Sequence, residues 1–117
     1  MQLRLRTRAL DGVTVLDCSG RIVFGEESAT LRDTVKSALA QNPKLVLNLA
    51  EVNHIDSGGL GMLVSLYTTA RNAGRVLKLA RLTQRVGELL QVTKLVSIFE
   101  VFANEQLAVQ SFNTDAA

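Results

Sequence analysis

A short, almost unbroken apolar run, Lys44-Leu45-Val46-Leu47-Asn48-Leu49, constrains this chain more than any other segment. Such runs belong to strands buried on both faces, as in a parallel sheet with helices packed on it. Further along the period changes. Leu60, Leu63, Val64, Tyr67 and Ala70 recur at three- and four-residue steps, so the stretch to Ala73 reads as a helix covering a core. Between the two lies Asp56-Ser57-Gly58-Gly59-Leu60-Gly61, which puts Ser57 where strand and short loop become helix. Free backbone N–H groups and the positive end of the helix dipole favour negative charge at such a point, so a phosphate on Ser57 can be accommodated.

The apparatus that would make Ser57 a nucleophile is missing from its surroundings. A reactive serine needs a positioned base that is itself oriented by a third group. His54, the single histidine, lies three residues earlier in an expected turn and reads as a structural or solvent-facing residue. The nucleophile-elbow pattern fails because Ile55, not glycine, stands two places before the serine. Dinucleotide binding is equally poorly served. Val64 occupies the position of the third glycine, and Arg81 stands where an acidic residue is wanted after the next strand. Gly59 and Gly61 are therefore expected to allow a tight turn and a close approach of helix to sheet.

At 117 residues the chain is long enough for one domain with a single core. No apolar run approaches the ~20 residues that span a bilayer, and no signal-peptide core follows Arg4, Arg6 and Arg8, so a cytoplasmic protein without membrane insertion is expected. Cys18 is the only cysteine, which excludes an internal disulfide or a cysteine-based metal cluster and suits a small buried hydrophobe. The net charge of +2 raises the question of a nucleic-acid surface. Arg4, Arg6 and Arg8 alternate with Leu3, Leu5 and Thr7, as on a strand with one wet face, and no stacking set of aromatics accompanies them, so nucleic acid is not an expected partner. Neither a metal nor a cofactor is expected.

Read in order, the chain alternates strand and helix. Gln2 to Arg8 and Val13 to Ser19 form strands joined at Asp11-Gly12, a strong hairpin signal. Gly20 breaks the pattern before a short extended piece at Arg21 to Phe24. A helix starting near Glu26 or Glu27 carries Leu31, Val35, Ala38 and Leu39 on one face and ends at Asn42-Pro43. After the strand to Leu49 and the Ser57 helix, Gly74 turns the chain into a strand from Val76 to Ala80, with Leu77 and Leu79 alternating against Lys78. Thr83 caps a helix to Val92 with Val86, Leu89 and Leu90 inward. Ser97 to Phe102 is the last expected strand, and Asn104 caps a closing helix with Leu107, Ala108 and Phe112 inward. Asn113 to Ala117 read as a disordered tail. The sum is a single α/β domain over 1–117, with its core at about 3–112: a mixed sheet flanked by about four helices.

In this frame Ile55-Asp56-Ser57-Gly58-Gly59-Leu60-Gly61 resembles the signature of the STAS domain, best known in bacterial anti-sigma factor antagonists. The resemblance runs from about Leu3 to Phe112 and includes the Gly20-Arg21-Ile22 exit of the hairpin. It implies a non-enzymatic switch. Ser57 matches the serine that an anti-sigma factor serine/threonine kinase phosphorylates with ATP, and Asp56 matches the family aspartate. The unphosphorylated form binds the kinase and frees a sigma factor, and a metal-dependent serine phosphatase restores it. Gly58 stands where the family often has Ser or Thr. Asp56, Ser57, Gly58 and Gly59 are the expected partner-binding residues, joined on family geometry by Gly25-Glu26-Glu27 and Asn53-His54, with room for a weak homo-oligomer. The residues leave Asp56 two roles: orienting the hydroxyl or partner groups, or ending the loop through backbone hydrogen bonds. The alternatives are a constitutive STAS scaffold of a stressosome or transporter complex and, from the enzyme class, a small serine hydrolase using Ser57 and His54.

Overall fold

The computed structural model describes residues 3–115. Gln2 of the expected first strand, and Ala116 and Ala117 of the expected tail, lie outside them. The elements are β1 (Arg4–Leu10), β2 (Val13–Ile22), α1 (Glu26–Gln41), β3 (Lys44–Ile55), α2 (Ser57–Asn72), β4 (Val76–Ala80), α3 (Gln84–Val92), β5 (Val101–Phe102) and α4 (Glu105–Asp115). One sheet holds the strands in the order β1-β2-β3-β4-β5, with β1 antiparallel to β2 and every later pair parallel. Asp11 and Gly12 both take positive φ, 51° and 79°, the backbone of a two-residue hairpin that sets Leu10 opposite Val13.

β3 is covered on both faces, as its composition requires. Leu45, Leu47 and Leu49 join Leu31, Val35 and Leu39 of α1, Leu60, Leu63 and Leu66 of α2, and Val86 and Leu90 of α3 in the main core. On the opposite face Val46 meets Val13, Val15 and Ala80 beneath Ala108, Val109 and Phe112 of α4. Three helices thus pack on one side of the sheet and α4 on the other. Asn48, the polar interruption of β3, is satisfied: its amide donates to Glu105 at the start of α4 (3.0 Å) and its carbonyl accepts from Ala50 N–H (3.1 Å). Cys18 is buried in the main core as expected, and desolvation, with a smaller push from Asp17, raises its thiol pKa to about 12. No helix among the described residues is long and apolar enough to cross a membrane.

Several expectations are corrected. β3 does not stop at Leu49 but continues to Ile55, so Asn53 and His54 lie on a strand rather than in a turn. β2 likewise runs through Gly20 to Ile22, because two irregularities, between Asp17 and Ser19 and between Gly20 and Arg21, let the ladder resume with Arg21 opposite His54. Leu95–Ser97 form a 3-10 turn instead of the start of a strand, and only Val101–Phe102 pair with β4. That apolar run is used for packing: Phe99 sits edge-to-face on Tyr67, with ring centres 5.4 Å apart.

Leu107 points outward, since Ala108, Val109 and Phe112 fix the phase of α4. The helix also extends to Asp115, through part of the expected tail. Arg8 is not simply solvated: its guanidinium bridges Asp17 (2.6 Å) and Glu105 (2.7 Å), tying β1 to α4. Lys78, the polar phase of β4, is fully buried beneath α4. Its ammonium donates to Ser111 Oγ at 2.6 Å, lies 3.6 Å from Glu100 and stands 4.2 Å from the centre of the Phe112 ring.

Candidate functional site

The carboxylate of Asp56 organises the end of the sheet. Asp56 is the extended residue between β3 and α2, and its Oδ1 accepts the Gly59 N–H at 2.8 Å, the side-chain cap that this helix start needs. Its two oxygens also accept the N–H of Phe24, at 3.0 and 3.1 Å, from the loop between β2 and α1. One side chain therefore joins β3, α2 and a loop 32 residues away in sequence. Of the two roles open to Asp56, the geometry displays the backbone-binding one. The loop it holds is braced from its other side by Arg21–Glu27 (3.2 Å), by Ser28 N–H to the Val23 carbonyl (3.1 Å) and by Gly25 N–H to Ser28 Oγ (3.2 Å).

The Gly59 amide, then the Phe24 amide, hold the Asp56 carboxyl below its ordinary range, with a smaller contribution from nearby His54. A depressed folded-state pKa stabilises the fold above the unfolded value and ceases to do so as pH falls through the folded one. Asp56→Ala is therefore expected to lower the unfolding temperature at neutral pH and to flatten its decline below about pH 4. Asp56→Asn, which keeps one acceptor, should fall between. Thermal unfolding monitored by circular dichroism across the acid range checks both.

Ser57 is the first residue of α2 and is exposed. Among the described residues no group hydrogen-bonds its hydroxyl. His54 is exposed on β3 and is not one of its partners. The two glycines that follow have separate reasons. A Cβ on Gly59 would lie 1.9 Å from the Ile22 carbonyl oxygen, so the helix start rests directly on the end of β2. A Cβ on Gly58 would lie 2.4 Å from Cβ of Phe24. Gly61, expected to share the close approach, has nothing within 4 Å of such a carbon and plays no part in it.

The sheet thus brings Asp56, Ser57 and Gly58 to one corner with Gly25 and Glu26, where Ser57, Gly25 and Glu26 are exposed and Asp56 and Gly58 half-buried, while Gly59 is buried against Ile22 and His54 stands on the preceding strand. Phe24 joins that corner through its main-chain bond to Asp56 and its contact with Gly58, which sequence reasoning did not anticipate. It is one of four phenylalanines in the sequence, and the one local hint was Gly58 in a place where the resembled family often carries a hydroxyl side chain. Among the described residues no group of three or more His, Cys, Asp or Glu side chains is placed to hold a metal ion.

Sheet order, the placement of three helices against one and the capped Asp-Ser junction define a small α/β module that presents a hydroxyl at the C-terminal end of its central strand. The chain belongs to the STAS domain family, whose model matches residues 4–108. A curated relative, the anti-sigma-B factor antagonist of Bacillus subtilis, is 31% identical over 80 residues, covering 68% of this chain and 73% of the relative. Among solved structures, a putative anti-sigma factor antagonist from Thermotoga maritima superposes with a TM-score of 0.82 at 22% identity, covering 92% of each chain. The anti-sigma factor antagonist SpoIIAA in its unphosphorylated form gives 0.75 at 15% identity, covering 95% of this chain and 97% of that one. The Bacillus cell fate determinant SpoIIAA in the phosphorylated form gives 0.68 at 15% identity, covering 94% and 98%. At these identities the solved structures establish the shared fold.

Proposed function

We propose that this protein is an anti-sigma factor antagonist whose binding is switched by phosphorylation of Ser57. In its unphosphorylated form it binds an ATP-dependent anti-sigma serine kinase, which then releases its sigma factor, and a serine phosphatase reverses the modification. The observation that carries this reading is the exposed, unengaged Ser57 hydroxyl on a rigid corner built by the Asp56 carboxylate. The names of the curated relatives support it, and SpoIIAA has been seen on this fold in both phosphorylation states.

The geometry also supplies a physical reason for the switch. Asp56 already takes the Gly59 amide, so a phosphate on Ser57 adds roughly −1.5 to −2 charge beside a carboxylate that holds a first-turn donor. The new charge is directed to solvent or to the partner. A surface shaped for a neutral hydroxyl then meets repulsion and a desolvation cost, while the fold, whose core lies elsewhere, persists.

Incubation with ATP and each histidine-kinase-like ATPase encoded beside the gene, followed by intact-mass and peptide mass spectrometry, tests the proposal. A single phosphate on Ser57, absent from Ser57→Ala, is expected, and Ser57→Asp should bind the modifying kinase at least about tenfold more weakly than Ser57→Ala, a difference of about 1.4 kcal/mol. Equal binding of the two variants, with Ser57 left unmodified by a demonstrably active kinase, would overturn the switch and favour a constitutive scaffold.

A further inference from the structure

We propose that Phe24 and Gly58 together determine which kinase this site accepts, with the Phe24 ring as an apolar anchor that enters a complementary apolar pocket beside the kinase's serine-binding position. The inference rests on the functional reading above and adds to it the chemistry of the partner surface. Phe24 is 80% exposed. Singly exposed apolar residues are ordinary on protein surfaces, and Val92 at 81% is one of them. Phe24 differs in being held. Its own N–H is clamped by both oxygens of the Asp56 carboxylate, and its loop is tied to α1 through Arg21–Glu27 and Ser28.

An aromatic side chain on a backbone fixed in advance loses little freedom on binding, which is the condition under which aromatic residues dominate interface energetics. Gly58 completes the argument. Its missing side chain leaves space that the Phe24 Cβ and ring fill, at 2.4 and 3.0 Å from where a Cβ would stand. A serine or threonine there cannot coexist with Phe24 in its present position. The corner beside Ser57 therefore offers a ring instead of a second hydroxyl, and a pocket fitted to one is a poor fit to the other. An apolar pocket closing over Phe24 also removes water from the neighbouring Ser57 oxygen, which makes a phosphate at that point costly to bury.

Isothermal titration of the purified Ser57-modifying ATPase, loaded with ADP, against the wild-type chain, Phe24→Ala, Phe24→Leu and Gly58→Ser tests the inference. Phe24→Ala keeps the main-chain bond to Asp56, so its unfolding temperature should match the wild type while its affinity falls roughly thirtyfold. Phe24→Leu should fall only a few fold. Gly58→Ser, whose Cβ must displace Phe24, should weaken binding as much as Phe24→Ala although Ser57 is untouched. If Phe24→Ala or Gly58→Ser binds like the wild type while Ser57→Asp is still rejected, the anchor is refuted and the phosphorylation switch stands. If no ATPase binds the wild-type chain or modifies Ser57, the switch falls and the anchor with it.

Discussion

Replacing Gly59 by alanine is expected to destabilise the fold by roughly 3 kcal/mol, at the upper end of what overpacking costs. The added carbon would stand 1.9 Å from the Ile22 carbonyl oxygen and 2.6 Å from its carbon, and both are backbone atoms at the end of β2. No rotamer change can relieve such a contact. Either the first turn of α2 lifts, breaking the Asp56 cap on the Gly59 amide, or the end of β2 moves and takes Phe24 with it. Gly61→Ala, two residues along the same helix, should have the opposite sign. With nothing within 4 Å of its Cβ position, that substitution relieves the helix of a glycine and should stabilise it by about 0.5–1 kcal/mol. Urea unfolding midpoints of the two variants against the wild type give the comparison, and equal destabilisation by both would refute the close approach at Gly59.

The second large effect belongs to Lys78. Lys78→Ala should cost about 3 kcal/mol, because the buried stem leaves a cavity between β4 and α4. Lys78→Met keeps most of that volume and should cost about 1–2 kcal/mol less than alanine. The difference isolates the stem, because neither variant keeps the ammonium. Ser111 Oγ at 2.6 Å, the Phe112 ring and Glu100 at 3.6 Å are among the groups that meet that ammonium. If methionine proves as costly as alanine, the charge itself rather than the stem holds α4 in place.

Where signals were local, the sequence was readable. The hairpin at Asp11-Gly12, the side-chain cap of Thr83 on Val86 N–H and that of Asn104 on Leu107 N–H stand where residue type placed them. The two-faced burial of β3 followed from composition alone. What escaped depends on contacts between distant segments. The polar stretch Glu51-Val52-Asn53-His54 continues as strand only because irregularities in the pairing with β2 keep the ladder going, and no alternation announces them. Arg8 finds Glu105 97 residues away, and Lys78 is buried by a helix that starts 27 positions later, at Glu105.

The candidate site divides in the same way. Asp56 and Ser57 were legible because a capping acid and a hydroxyl at a strand-to-helix junction have chemical meaning by themselves. The bond from Phe24 N–H to Asp56, which shapes the surface around them, is tertiary and leaves no periodic trace. Gly58 was noted as a departure from the resembled family, but its cause became visible only when Phe24 was seen filling the space beside it.

Strand order follows chain order across the whole sheet. During synthesis each new strand therefore meets its neighbour already waiting, and the corner around Ser57 has all its parts once α2 has left the ribosome. The opposite face has a different history. Val13, Val15 and Val46 stay bare until α4, the last element, arrives to cover them. A chain stalled before residue 105 would thus display its Ser57 corner while still carrying an uncovered valine surface, and that interval is when a nascent copy is most prone to aggregate.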